Sequence, residues 1–271
     1  MKKLLYFTLV LAILSSICVF GAWSPISQVE TETRYADAPM ISTVADITTY
    51  FTSKEITVDV RTAGGAPTFT TTTGLTNACG PVAGTEIVAF YDKYYPNLIP
   101  DWNSYYPATG LYRGQNTTYI NPVLRELYTL MKTNDGGEGV TEANFKSGLQ
   151  TYFTDHGYSA SFSSVKSGST LNIAACKTAF ENNKVIVLFT TPGEIYGLHE
   201  YTDHDMLGSY TIAGNHIMIA YGCLQIKYYS GTTLIRTDTL LTVATGRSNP
   251  TVAYYMANST NLEAAYVVNV S

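Results

Sequence analysis

The chain is poor in charge and nearly empty of the residues that build metal ribbons. Only 14% of its 271 residues are charged, and the formal net charge is −5. It has no basic run, which argues against nucleic-acid binding. It has four cysteines, no CxxC pair and four histidines, so a zinc ribbon is excluded. Beyond the N-terminus it has no apolar run long enough to span a bilayer, which takes about 20 residues. No internal repeat occurs. What the chain does have is tyrosine, 22 residues of it, on a polar, uncharged, threonine-rich background common in exported proteins.

Residues 1–22 read as a secretory signal. Lys2 and Lys3 form the charged end, Leu4 to Val19 is almost unbroken apolar sequence, and Gly21-Ala22 offers small residues for cleavage. Ile17 before Cys18 is a poor fit to a lipoprotein site. Losing Lys2 and Lys3 takes the formal charge from −5 to −7. The expected location is secreted, cell-surface or periplasmic, with no membrane contact after cleavage. About 250 residues remain, enough for one large domain. Residues 23–70 are weakly patterned and read as an N-terminal extension or pro-segment, with the main domain at 71–271.

Asn77-Ala78-Cys79-Gly80-Pro81-Val82-Ala83-Gly84 puts a cysteine where a loop turns into an apolar helix, read as Glu86 to Tyr95. A helix N-terminus presents unpaired N–H groups and the positive end of the macrodipole, which favour a thiolate. Pro81 fits a first helical turn. Cleavage leaves Cys79, Cys176 and Cys223, an odd number that marks one as reactive. Cys79 is the choice, and the other two read as buried small residues rather than a disulfide.

Further helices are expected from Asn121-Pro122, over Thr141 to His156 with Gly157 as cap, and over Leu171 to Glu181. Strands are expected at Ile56–Val60, Tyr158–Val165, Val185–Phe189, Ile217–Tyr221, Leu224–Tyr229, Thr233–Asp238, Leu240–Ala244, Val252–Tyr255 and Ala265–Val270, with a turn at Ser230-Gly231. Helices first and strands later predict an α+β fold. Glu194 to Tyr210 reads as a loop. Its His199-Glu200-Tyr201-Thr202-Asp203-His204-Asp205 run has histidines five apart, not the four of the helical zinc motif, and reads as a solvated cleft edge. No metal or cofactor is expected. The sequons at Asn116, Asn258 and Asn269 are taken as chance matches.

A nucleophilic cysteine needs a base. His156 sits at a helix end, where the dipole favours a cation. His216 stands at the start of an apolar strand, which can hold it rigidly at an edge. A Cys-Gly-Pro-x-Ala run entering a helix that ends Tyr91-Asp92, then Gly214-Asn215-His216 before an apolar strand and Tyr221-Gly222, resembles the papain-like cysteine peptidases. Among them it is most similar to the bacteriocin-processing, double-glycine branch. The resemblance covers about Thr73 to Ala257, and only these two motifs are specific.

The resemblance implies a Cys-bearing helix packed on a C-terminal antiparallel sheet. It also implies Cys79 as nucleophile, His216 as general base, and a peptide or protein substrate cleaved through a thioester. The family's orienting Asn or Asp falls on Val243 to Arg247, which holds neither, so Asn249 and Asp238 are the nearest candidates. The family's oxyanion glutamine is absent from Thr71 to Leu75, and Asn77 with the Cys79 N–H is the replacement. These departures open two other readings, a catalytically impaired binding or surface protein and a cell-wall peptide amidase. Oligomeric state is not legible.

Overall fold

The computed structural model describes residues 33–36, 40–43, 53–168, 170–200 and 205–271. The expected signal at 1–22 lies outside them. Among the described residues, sixteen strands and four helices follow in chain order. They are β1 (Arg34–Tyr35), β2 (Met40–Thr43), β3 (Ser53–Arg61), α1 (Cys79–Asp92), β4 (Tyr105–Tyr106), β5 (Leu111–Tyr112), α2 (Thr117–Leu130), β6 (Val140–Thr141), α3 (Glu142–Asp155), β7 (Ala160–Ser164), β8 (Lys166–Ser167), β9 (Thr170–Leu171), α4 (Ile173–Glu181), β10 (Ile186–Thr190), β11 (Gly193–Glu200), β12 (Asp205–Ile212), β13 (His216–Ser230), β14 (Thr233–Ala244), β15 (Val252–Met256) and β16 (Leu262–Val270).

The fold is α+β. One ten-stranded antiparallel sheet runs in the order β2-β12-β11-β15-β14-β13-β10-β16-β7, with β3 added to the far half of β13. Side chains alternate across a strand, and here both faces are covered. Val187 and Phe189 of β10, with Ile217 and Ile219 of β13, join the core formed with α1, α2 and α3. Their neighbours Ile186, Leu188, Met218 and Ala220 join a second core with Cys176 and Phe180 of α4. Burial on both faces explains why Val185–Phe189 is continuously apolar rather than alternating.

Helix α1 is buried over its whole length, Cys79 to Asp92. It begins at the cysteine, with Pro81 in its first turn as expected, so it includes the seven residues before Glu86, and it ends at Asp92 rather than Tyr95. A helix apolar on all sides belongs inside, and α1 lies between the sheet and α2. Asp92 closes it by accepting from the Ile99 and Ser104 N–H groups at 3.1 and 2.8 Å. Helix α2 begins at Thr117, not Asn121. Asn116 caps it, its side chain accepting from Thr118 N–H at 2.9 Å, and Pro122 lies inside, where it forgoes one N–H donor and its ring crowds the Thr118 carbonyl four residues back. Helix α3 runs Glu142–Asp155, so the expected first residue, Thr141, is its N-cap and the expected last, His156, its C-cap; the His156 ring stacks on Tyr152 at 4.2 Å and bonds its carbonyl at 2.8 Å.

Three further expectations change. The described residues of 194–210 are not a loop: β11 and β12 pair from Gly193↔Ile212 to Glu200↔Asp205. The glycines that obscured this strand have a packing reason, since a Cβ at Gly197 would fall 2.6 Å from the Tyr210 ring. The separate strands expected on either side of Gly222, and of Thr239, are single long strands, and β13 absorbs Gly222-Cys223 as irregularities in its pairing. The described part of 23–70 supplies β1, β2 and β3, so the compact unit runs Thr33–Ser271. The expected hairpin turn is present, with Gly231 at φ 60 between paired Ser230 and Thr233.

Candidate functional site

Cys79 is the first residue of α1 and His216 the first of β13. Both are buried, at 2% and 1% exposure. Their neighbours meet: a Cβ placed on Gly80 would lie 3.4 Å from Ile217 Cδ1 and 2.4 Å from Val140 Cγ1. Gly80 is therefore the close-approach residue that seats the helix N-terminus on the start of β13. The first turn of α1 carries no acidic side chain, so nothing there opposes the dipole that favours a thiolate.

His216 is oriented by backbone. Its Nε2 lies 2.8 Å from the Thr245 carbonyl oxygen. A carbonyl only accepts, so Nε2 carries a proton, and in the neutral imidazole Nδ1 is then the nitrogen with the lone pair. Thr245 is itself buried and clamped. Its N–H donates to Thr251 O at 3.0 Å, its hydroxyl donates to Pro250 O, and that hydroxyl accepts from Arg247 N–H at 3.1 Å. The loop after β14 is thus closed on itself and holds one carbonyl toward the imidazole.

The side chains considered as orienters are elsewhere. Asn249 is exposed. Asp238 pairs with Arg236 and stands opposite Ile226 on β13, ten residues and about 30 Å of strand from His216. Neither orients it. Sequence could not reveal Thr245 in this role, because every residue type supplies the same carbonyl.

Asn77 sits two residues before Cys79 at φ 55, a left-handed turn position. Its side-chain amide donates to Asn134 Oδ1 at 3.0 Å, and Asn134 also accepts from Gly139 N–H at 2.7 Å. Asn77 therefore ties the cysteine loop to the loop before β6, with one amide N–H outside that bond. Sequence reading also passed over Glu86, the one charged residue between Cys79 and Asp92. It is fully buried two turns below the cysteine. Its Oε1 accepts from Phe69 N–H at 2.9 Å, and burial pushes its carboxyl up to about 8.

Cys176 and Cys223 are free and buried. Burial pushes the Cys176 thiol up to about 12 and Cys223 up to about 11, so both are poor thiolates. His199 belongs to β11, and residues 201–204 of the His/Asp/Glu run lie outside the described residues. Among the described residues no group of three or more metal-ligating side chains gathers, and no helix is long and apolar enough to cross a membrane.

Compared with known proteins, the chain matches no family model, no curated protein and no solved structure.

Proposed function

We propose that this protein is an exported cysteine peptidase of papain-like fold that hydrolyses peptide bonds through a Cys79–His216 pair. The observation that carries the reading is the Nε2 to Thr245 carbonyl bond, which leaves Nδ1 as the basic nitrogen. In the reaction, Nδ1 takes the Cys79 thiol proton and the sulfur attacks the substrate carbonyl carbon. The Cys79 N–H and the remaining amide N–H of Asn77 stabilise the oxyanion. The imidazolium then protonates the leaving amine, giving a thioester. Water, deprotonated by the same nitrogen, releases the acid and restores the thiol.

A backbone carbonyl fixes the tautomer as an Asn side chain would, but brings no full negative charge to stabilise the imidazolium. That favours a modest rate, and in the limit the second reading, an impaired binding protein on the same scaffold. Alkylation separates the two. Cys79 is expected to react with iodoacetamide faster than a free thiol, and His216→Ala is expected to abolish the excess. Labelling no faster than a free thiol would remove the catalytic reading. Digests of protein substrates and of cell-wall muropeptides then distinguish peptidase from amidase. Export is tested by N-terminal sequencing of the secreted protein, with cleavage expected near Ala22.

A further inference from the structure

A short stretch of this chain lies beside the proposed site, bonded to residues that adjoin it. β1 pairs antiparallel with β6, Tyr35 opposite Val140 and Arg34 opposite Thr141. On its other side, Ala36 N–H donates to the Asn215 carbonyl at 3.2 Å, and the Asn215 side chain donates to the Arg34 carbonyl at 2.7 Å. Asn215 directly precedes His216, and Val140 is the residue against which Gly80, next to Cys79, is packed. Residues 34–36 thus bridge the cysteine side and the histidine side, bonded to each through main-chain groups. Gly139 permits this, since a Cβ there would fall 1.8 Å from the Tyr35 carbonyl oxygen.

The side chains divide the work. Arg34 donates to the carbonyls of Asp135, Gly139 and Glu138 at 2.8, 3.0 and 3.2 Å. Tyr35 drops into a pocket, 1% exposed, with its ring edge-on to Phe189 at 5.2 Å. Its phenol donates to Glu263 Oε2 at 2.6 Å. Burial first, then the Glu263 carboxylate, holds that phenol well above its ordinary value, so it remains a donor.

We propose that residues 34–36 mark a peptide-binding groove that takes an extended strand with a tyrosine in the Tyr35 pocket, and that the chain's own strap fills this groove until a substrate displaces it. The inference rests on the peptidase reading for the role of Cys79, but strand binding does not require it. Main-chain bonds are the same for any peptide, so affinity comes from the strand and selection from the pocket. A bond from a neutral phenol to a carboxylate is worth about tenfold in binding over phenylalanine. A tethered strap competes at an effective concentration of about millimolar, so weak peptides fail against the intact strap.

The test uses the full chain, its Arg34→Ala variant, and the free capped tetrapeptide Thr-Arg-Tyr-Ala with its phenylalanine analogue. Hydrogen exchange at the Ala36 amide reports the strap. The tyrosyl peptide is expected to speed that exchange, at lower concentration in Arg34→Ala, and to act about tenfold more strongly than the phenylalanyl peptide. Glu263→Gln is expected to shrink that preference, and it carries the test if Arg34→Ala does not fold. Unchanged Ala36 exchange at saturating peptide, or equal potency of the two peptides, overturns the proposal. Cys79 labelling insensitive to His216 would instead defeat the peptidase reading and leave the exchange result standing.

Discussion

Replacing Glu86 with glutamine isolates the cost of a buried acid under the cysteine helix. Glu86 lies within α1, fully buried, and its Oε2 has no hydrogen-bond partner among the described residues. Burial raises its carboxyl from 4.5 to about 8, and the Phe69 N–H bond offsets only part of that. A folded-state value above the unfolded one means the folded protein holds its proton more tightly. Stability from this group is fully present below about pH 4.5 and is lost as pH rises to about 8. Each pH unit in that window costs about 1.4 kcal/mol, roughly 5 kcal/mol across it and about 3 kcal/mol by neutrality. Glutamine keeps the acceptor for Phe69 N–H and cannot ionise. In urea unfolding across this window, wild-type stability is expected to fall with pH while that of Glu86→Gln stays flat from this site. The slope is the diagnostic, because the amide leaves its own unpaired donor and shifts the absolute value. Parallel curves for the two proteins would refute the burial argument, as would a wild-type stability that rises with pH.

Thr245→Val removes the hydroxyl that bonds Pro250 O and Arg247 N–H. The carbonyl facing His216 then loses its clamp, and Cys79 alkylation is expected to slow about tenfold, for a loss of about 1–2 kcal/mol; an unchanged rate in a folded variant counts against backbone orientation. Gly80→Ala places a methyl 2.4 Å from Val140 Cγ1, so thermal unfolding should show a loss of about 1–3 kcal/mol. Asp238→Asn is expected to leave Cys79 alkylation unchanged. Asp238 is itself buried beside the half-exposed Arg236, and a slowed alkylation would restore it as an orienter.

How far the sequence was legible follows from what kind of group does each job. The cysteine helix was visible because Pro81 and a run of apolar residues are local signals. The helix N-terminus at Cys79 with Pro81 in its first turn was legible, but its apolar body was bounded too late, at Glu86, and carried too far, to Tyr95. The β11–β12 hairpin was hidden because Gly193 and Gly197 resemble loop punctuation, while their lack of a side chain answers Asn261 and Tyr210 across the fold.

By itself the sequence determined the α+β class, the two-sided burial of the β10 strand and the Gly157 end of α3, and it singled out Cys79 and His216 as the pair to test. These depend on periodicity, capping chemistry and residue type, all written locally. The tertiary structure alone decided what orients His216, where residues 34–36 lie, and that Glu86 is sealed from water. Each of those depends on a main-chain group or on burial between distant segments. A carbonyl carries no residue identity, and burial belongs to the packed whole.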